Sequence, residues 1–215
     1  MTKKNYLFDF DGTLVNSMPY YARAMLSVLD DEGIKYGEDM IKIITPLGYL
    51  GTAKYYKSLG VTLSVEELLG LFEERLYKEY SENILDKECV RETLIKLKAE
   101  GASLNVLTAS PHIMLDCCLK RLELYDLFDN VWSCDDFKTS KADPKIYKMA
   151  AERMGCDVSM VIFVDDNVNA VRTSIAAGCI GVGIFDESSR EYKEEFMKSA
   201  DAYIEDMSQL LNIKI

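Results

Sequence analysis

Apolar residues occur along this chain in short uninterrupted runs, each followed by polar or small residues. The four strongest runs cover residues 6–8, 103–107, 161–164 and 180–184, and two weaker ones cover 131–134 and 202–204. Short continuous apolar runs are typical of strands that are buried on both faces of a parallel sheet. The pattern therefore predicts a buried parallel sheet.

Helical patterns separate these runs in the second part of the chain. Residues 88–100 end at Gly101, a suitable glycine to close a helix. Residues 111–121 have Ser110 as a candidate N-cap and Pro111 at the first helical position. Three further helical segments cover residues 144–154, 167–177 and 188–198. This alternation of strands and helices from residue 86 onward predicts a right-handed parallel α/β sheet.

Residues 17–83 follow a different pattern, with helical periodicity and no convincing strand. The helical segments predicted there cover residues 17–32, 38–44, 48–58 and 65–81. Ser64 and Glu67 form a capping-box sequence at the start of the last of these segments. We therefore expect an all-helical cap domain at residues 17–83, inserted into an α/β core domain made of residues 1–16 and 84–215.

Charge and composition narrow the class of protein. The formal net charge is −11, from 36 acidic and 25 basic residues. This balance argues against a nucleic-acid partner, because phosphate backbones require a basic surface. No stretch approaches the roughly 20 apolar residues of a membrane span. The six cysteines lack zinc-ligand spacing and are expected to be free thiols in a reducing compartment. We therefore expect a cytoplasmic protein, a monomer or a weak homodimer, without a membrane partner.

Two aspartates follow the first apolar run. Asp9 and Asp11 stand two residues apart, and Gly12 beside them permits a sharp turn. The carboxyl ends of the strands are where an open α/β sheet binds its ligands. Two acids at one strand end repel each other unless a cation lies between them. The pair therefore predicts a cation site, although turn chemistry alone also favours Asp and Gly at such a junction.

Four segments together resemble the motifs of the haloacid dehalogenase superfamily, and they occur in that family's order. They are residues 9–17 (DFDGTLVNS), 106–110 (VLTAS), 141–147 (KADPKIY) and 161–166 (VIFVDD). The resemblance spans essentially the whole chain. It points to the phosphatase branch with a helical cap, which includes phosphoglycolate phosphatase-like and β-phosphoglucomutase-like members. It implies a Rossmann-like three-layer fold, with a parallel sheet core and an inserted all-helical cap domain.

The resemblance also implies roles for residues of the first three motifs. Asp9 would attack phosphorus and form an aspartyl-phosphate. Asp11 would protonate the leaving alkoxide and later activate the attacking water. Thr108 and the amide of Ala109 would hold a phosphoryl oxygen, and Lys141 would bridge Asp9 and the phosphoryl group as a fixed positive charge. The family often has proline directly after this lysine, whereas this chain has alanine.

The same resemblance implies Mg²⁺ as the cofactor, because the ligands would be hard oxygen atoms. They would come from Asp9, the backbone carbonyl of Asp11, and the acids of the fourth motif. Gly178 closes the helix after that motif, and family members commonly place the principal acid twelve positions earlier. This count selects Asp166 as the direct ligand and leaves Asp165 as a neighbouring second or supporting ligand.

The function expected from these features is hydrolysis of a small phosphorylated metabolite, with the cap excluding water and selecting the substrate. The alternative within the family is a sugar-phosphate mutase, which carries a cap histidine where this chain has Tyr21. A second alternative is a non-catalytic phosphate-binding regulatory protein, although such proteins usually lose the nucleophile or the lysine. His112, the only histidine, is assigned no catalytic role. Residues 45–51 are either a substrate-specificity loop or a plain connector.

Overall fold

The computed structural model describes residues 4–213, and the chain divides into two compact units. One unit comprises the chain up to Asn16 together with Leu85 onward, and the other comprises Ser17–Ile84. The first unit contains a parallel sheet with helices, whereas the second contains helices and no strand. Across the described residues, no helix combines the length and the apolar character needed to traverse a membrane.

The unit Ser17–Ile84 is built from four α-helices and a closing π-helix. They are α1 (Met18–Asp31), α2 (Met40–Ile44), α3 (Gly48–Ser58), α4 (Val65–Lys78) and the π-helix Glu79–Asn83. The capping box is present at the start of α4, where the Glu67 amide donates to Ser64 Oγ at 3.2 Å and the Ser64 amide donates to Glu67 Oε2 at 2.7 Å. The Tyr56 ring is buried against Phe72, and its hydroxyl donates to the Met25 carbonyl at 3.1 Å.

Residues 45–51 are helical rather than irregular. Thr45–Leu47 form a 3-10 helix, and α3 begins directly after it. Three apolar side chains of this segment face solvent, since Leu47, Tyr49 and Leu50 are 44, 37 and 51% exposed. The segment is thus an ordered element with an apolar surface, and its part in substrate selection stays a prediction.

The other unit contains a six-stranded parallel sheet with spatial order β3-β2-β1-β4-β5-β6. The strands are β1 (Asn5–Phe8), β2 (Ser103–Thr108), β3 (Asn130–Ser133), β4 (Val161–Asp165), β5 (Ile180–Ile184) and β6 (Ala202–Ile204). Each pair of neighbours is parallel, with β1 in the middle between β2 and β4. The predicted parallel α/β sheet is therefore confirmed, and the two weaker runs also form strands.

Both faces of the central strand are covered. Side chains alternate between the two faces of a strand, and Tyr6, Leu7 and Phe8 are all fully buried. Leu7 shares a cluster with Phe163 of β4 and with Tyr147, whose ring meets Phe163 at 4.9 Å. Tyr6 and Phe8 stack on each other with ring centroids 5.6 Å apart. An apolar layer therefore lies against each face, which explains the unbroken apolar run in the sequence.

Five α-helices lie within the described residues of this unit, 4–16 and 85–213. They are α5 (Val90–Ala99), α6 (His112–Arg121), α7 (Lys145–Met154), α8 (Val168–Ala177) and α9 (Lys193–Ser199). The predicted start of α6 is wrong by one residue, because Pro111 has extended backbone and is itself the N-cap. The Ser110 hydroxyl does not cap this helix and instead donates to the Asp11 carboxylate. Strand β3 also ends one residue early, since Ser133 caps a 3-10 helix that begins at Cys134.

Two short segments of this unit lie side by side where the chain leaves it and returns to it. The Asn16 amide donates to the Leu85 carbonyl at 3.0 Å, and the Lys87 amide donates to the Leu14 carbonyl at 3.0 Å. Val15 pairs with Asp86 between these two bonds as an antiparallel bridge. The two connections are therefore joined to each other next to the end of β1.

Candidate active site

The predicted site residues lie at the carboxyl ends of three adjacent strands. Asp9 follows β1, Thr108 ends β2, and Asp165 ends β4. The Asp9 amide donates to the Val164 carbonyl at 2.9 Å, so its backbone continues the pairing of β1 with β4. Because the strands are parallel and β1 is central, these side chains meet at one edge of the sheet, the edge at which such sheets bind ligands.

Three carboxylates form a tight cluster at this edge. One oxygen from each of Asp9, Asp165 and Asp166 lies within 4.8 Å of the others. Asp165 is completely buried and Asp9 nearly so. Lys141 Nζ donates a hydrogen bond to Asp165 Oδ2 at 2.8 Å. It also forms an ion pair with Asp9 Oδ1 at 2.7 Å. The cluster therefore carries more negative than positive charge.

Burial and crowding shift the pKa values of these groups strongly. Burial and the neighbouring Asp9 charge raise the pKa of Asp165 to about 7, even though Lys141 opposes the shift. Burial and then Asp165 raise the pKa of Asp166 well above its usual value. Burial acts to lower the pKa of Lys141, but Asp165 and Asp9 outweigh it and hold this pKa well above its usual value. Protons or a cation must therefore compensate the crowded carboxylates.

These oxygen donors fit a hard divalent cation such as Mg²⁺, which prefers carboxylate and carbonyl oxygens. The two acids of the fourth motif are not equivalent in this respect. Asp165 uses both oxygens within the protein, since Oδ2 accepts from Lys141 and Oδ1 accepts from the Asn167 amide at 2.7 Å. Asp166 is packed against the turn that follows Asp11.

That turn requires its glycine. Gly12 has φ +74°, and a Cβ added there would lie 2.5 Å from Asp166 Oδ2. The fully buried Thr13 is bonded to Asp166 in both directions: its Oγ1 donates to Oδ1 at 3.3 Å and accepts from the Asp166 amide at 3.2 Å. Thr13 belongs to the first motif, but nothing in the sequence pattern marks it as a site residue. Its contact joins the first and fourth motifs.

Ser110 connects Thr108 at the end of β2 to Asp11. Thr108 Oγ1 accepts from the Ser110 amide at 3.1 Å, and the Ser110 hydroxyl donates to Asp11 Oδ2 at 2.5 Å. Ala109 lies between them and is exposed. This contact orients the Asp11 carboxylate, and the sequence pattern around Ser110, which favours a helix cap, does not indicate it.

Lys141 reaches the carboxylates because its loop is anchored. The single hydroxyl proton of the buried Tyr147 is shared between two carbonyl acceptors, Lys141 at 2.9 Å and Ala170 at 3.1 Å. Two other lysines near in sequence, Lys138 and Lys145, are exposed. The structure thus brings to Asp9 the same lysine that the x-x-Pro spacing selects.

His112 lies outside this cluster and has two carboxylate partners of its own. Its Nδ1 is 3.0 Å from Asp116 and its Nε2 is 2.8 Å from Asp136. The hydrogen bond with Asp116 is the main cause that raises the pKa of His112. Both ring nitrogens are therefore engaged in a contact between α6 and the segment after β3.

The structure defines an α/β protein with three carboxylates and a largely buried lysine at the strand ends of its parallel sheet. The chain belongs to the haloacid dehalogenase-like hydrolase family, whose model matches residues 6–184. The resemblance drawn from the four motifs is therefore confirmed, and so is the expectation that the protein is an enzyme.

Relatives of known name or structure agree with this family. A protein named pyrophosphatase PpaX from Bacillus velezensis is 29% identical over 213 residues, which cover 96% of this chain and 94% of that protein. A phosphoglycolate phosphatase from Neisseria meningitidis is 28% identical over 203 residues, which cover 82% of this chain and 78% of that protein. The crystal structure of a predicted phosphoglycolate phosphatase from Haemophilus somnus superposes with a TM-score of 0.83 at 21% identity, covering 99% of this chain and 98% of that one.

Proposed function

We propose that this protein is a Mg²⁺-dependent phosphatase that hydrolyses a phosphate monoester of a small metabolite through an aspartyl-phosphate on Asp9. One observation carries the proposal: Lys141 Nζ lies 2.7 Å from Asp9 and 2.8 Å from Asp165 at a strand end where a third carboxylate completes the cluster. The names of the relatives, pyrophosphatase and phosphoglycolate phosphatase, support phosphate chemistry at this site.

The cation would be held by Asp9, Asp166 and the backbone carbonyl of Asp11. Asp165 has both oxygens engaged by Lys141 and by the Asn167 amide, which favours a supporting role for it. When bound, Mg²⁺ would neutralise phosphoryl oxygens and reduce their repulsion of the attacking carboxylate.

Asp9 is the nucleophile in this proposal. Its carboxylate forms a bond to phosphorus while the bond from phosphorus to the leaving alcohol breaks. Lys141 orients the carboxylate through Oδ1 and places a positive charge beside the transferred group. Thr108 and the Ala109 amide hold a phosphoryl oxygen from the neighbouring strand end.

Asp11 transfers the protons. It protonates the departing alkoxide in the first step, and in the second it accepts a proton from water while the water oxygen attacks phosphorus. The bond to Asp9 then breaks and inorganic phosphate leaves. The Ser110 hydroxyl fixes one oxygen of Asp11 and so limits the orientations of this acid.

We infer that residues 17–83 serve as a cap domain and residues 1–16 and 84–215 as the core domain. The cap would exclude water during the first step and select the alcohol that leaves. Tyr21 stands where the family's mutases carry a histidine, which favours water over a sugar hydroxyl as the acceptor. Under this proposal residues 45–51, whose apolar side chains are exposed, would take part in selecting the substrate.

The proposal is tested by measuring phosphate release from a panel of phosphorylated metabolites that includes phosphoglycolate, sugar phosphates and pyrophosphate. The panel is run with Mg²⁺ and with EDTA, on the wild type and on Asp9→Asn. We expect release that requires Mg²⁺ and falls at least about 1,000-fold in the variant, together with an acid-quenched phosphoryl adduct on Asp9. Equal inactivity of the two proteins would support the binding-protein alternative. Isomerisation of a sugar phosphate without phosphate release would support the mutase.

A further inference from the structure

Lys87 donates three hydrogen bonds from its ammonium group to two separate segments of the chain, the turn after β1 and the residues directly after β5. Its Nζ lies 2.6 Å from the Gly12 carbonyl, 2.7 Å from the Phe185 carbonyl and 3.0 Å from Asp186 Oδ2. An ammonium group has three N–H donors, so these contacts use all of them. The side chain is 19% exposed. Burial of this charge is therefore matched by a complete set of acceptors.

The backbone of Lys87 holds the same turn. Its amide donates to the Leu14 carbonyl at 3.0 Å. The side chain and the main chain of one residue thus bind Gly12 and Leu14, the two residues that flank Thr13. Residues 12–14 are therefore held in place by Lys87, which lies in the segment that follows the unit Ser17–Ile84.

Asp186, the carboxylate that accepts from Lys87, is itself held in place. Asp186 follows β5 and is nearly fully buried. Its Oδ1 accepts from the Ser188 amide at 3.0 Å and from the Ser188 hydroxyl at 2.6 Å, while its Oδ2 faces Lys87. Lys87 therefore joins a fixed point beyond the end of β5 to the turn that follows β1.

The turn carries groups that the reaction needs. Gly12 follows Asp11 directly, and its Cα packs against the Asp166 carboxylate so closely that no Cβ fits. Thr13 binds the Asp166 side chain and amide. A displacement of the Gly12 carbonyl would therefore move both Asp11 and the contact with Asp166.

We propose that Lys87 is a positioning residue for the reaction: it fixes the turn of residues 12–14, and through it the acid/base Asp11, to the end of β5. Lys87 touches none of the reacting groups and lies outside the four motifs. The inference rests on the proposed phosphatase function for its kinetic readout, whereas the placement of the turn can be measured independently.

Lys87→Met removes the three donors and keeps most of the side-chain length. We expect kcat for a chromogenic phosphate ester to fall about 10- to 100-fold, the loss produced by removing one or two charge-assisted contacts, with KM changed less than about threefold. Amide hydrogen exchange of residues 10–16 should accelerate at least about tenfold, because the turn opens locally. The exposed Lys148→Met is the matched control and should leave both readouts unchanged.

Asp186→Asn separates positioning from charge balance. Alone it leaves one amide oxygen for both Ser188 and Lys87, but the Gly12 and Phe185 carbonyls still accept from the ammonium group. We therefore expect kcat to fall less than in Lys87→Met. Combined with Lys87→Met, Asp186→Asn removes both charges and leaves no unpaired carboxylate. We expect the double variant to stay as slow as Lys87→Met, because the contact with the Gly12 carbonyl is still missing.

Three results would overturn the inference. They are kcat within about twofold of wild type in folded Lys87→Met, recovery of kcat in the double variant, and unchanged exchange of residues 10–16. Circular dichroism and thermal melting establish folding of each variant. If the wild type is inactive and matches Asp9→Asn, the proposed function fails, and hydrogen exchange alone then decides whether Lys87 fixes the turn.

Discussion

At the scale of single residues, Lys141 places a positive charge among three carboxylates, and this charge has two separable effects. It stabilises the fold, because Asp165 is completely buried and would otherwise lack a charge partner. It also serves the reaction, because the same Nζ lies 2.7 Å from Asp9. The two effects predict different responses to substitution.

Lys141→Met should lower kcat about 1,000-fold, since a fixed charge beside the transferred phosphoryl group is lost. It should also lower the free energy of unfolding by about 3–5 kcal/mol, the usual result of removing one partner of a buried pair. Adding Asp165→Asn should restore much of the stability and none of the activity. Denaturant unfolding and steady-state kinetics measure the two effects, with the exposed Lys145→Met as control. Activity that returns with stability in the double variant would contradict a catalytic role for the lysine.

Ser110 offers a test of Asp11. Ser110→Ala removes the hydroxyl that donates to Asp11 Oδ2, and a hydrogen bond to a charged group contributes about 1.5–3 kcal/mol. We expect kcat to fall about 10- to 100-fold, with KM little changed because the contact orients the acid rather than the substrate. Ser159→Ala is the matched control, since Ser159 also donates to an aspartate, Asp157, but in an exposed turn. Equal kinetics of the two variants would remove Ser110 from the mechanism.

At the scale of elements, local sequence patterns predicted the strands well because their burial is continuous. Each central strand has apolar layers on both faces, so its run of apolar residues is visible in the sequence alone. The end of β3 was less visible, because Ser133 and Asp136 form a capping box that stops the strand before Cys134. The last residue of β3 is therefore set by the capping box, which the period-2 pattern of a strand does not indicate.

Contacts between distant segments were the part that sequence could not supply. The acceptor of the Ser110 hydroxyl lies 99 residues earlier in the chain. The acceptors of Lys87 Nζ come from Gly12, Phe185 and Asp186, which meet only when β1 and β5 lie in one sheet. The motifs themselves were recognisable because each keeps its chemistry within a few residues of one strand end.

The turn after Asp11 should tolerate no side chain at Gly12. Gly12→Ala meets Asp166 Oδ2 at 2.5 Å and has a positive φ, whereas Gly101, with φ +86°, has no neighbour within 4 Å of an added Cβ. Both substitutions should cost about 1 kcal/mol or more of stability from backbone strain. Only Gly12→Ala should abolish hydrolysis, because it displaces Asp166. Thermal melting and kinetics of the pair separate strain from steric conflict. Comparable activity in the two variants would show that Asp166 can move without consequence.

At the scale of the whole molecule, the crowded carboxylates couple stability to pH and to cations. Burial raises the pKa of Asp165 to about 7 in the folded protein, from the usual 3.8 that applies when the chain is unfolded. Between these two values the folded state binds a proton that the unfolded state does not, so this group makes stability fall as pH rises through the window. Above about pH 7 the full penalty of the ionised cluster is present.

A divalent cation held by Asp9 and Asp166 would place positive charge beside Asp165 and favour loss of this proton. That loss costs free energy at low pH, where Asp165 is protonated, and costs none at high pH, where it is already ionised. Mg²⁺ should therefore raise the melting temperature more at pH 8 than at pH 5, because ligand binding to the folded state alone stabilises by mass action and protons compete for the site. Thermal melts between pH 5 and pH 8 give the difference in melting temperature between Mg²⁺ and EDTA at each pH. Carboxylates elsewhere titrate equally in both solutions, so their effect on stability drops out of this difference. Asp166→Asn should abolish the Mg²⁺ shift, whereas the surface variant Asp157→Asn should keep it. A shift of equal size at both pH values, or one retained in Asp166→Asn, would place the cation outside the cluster.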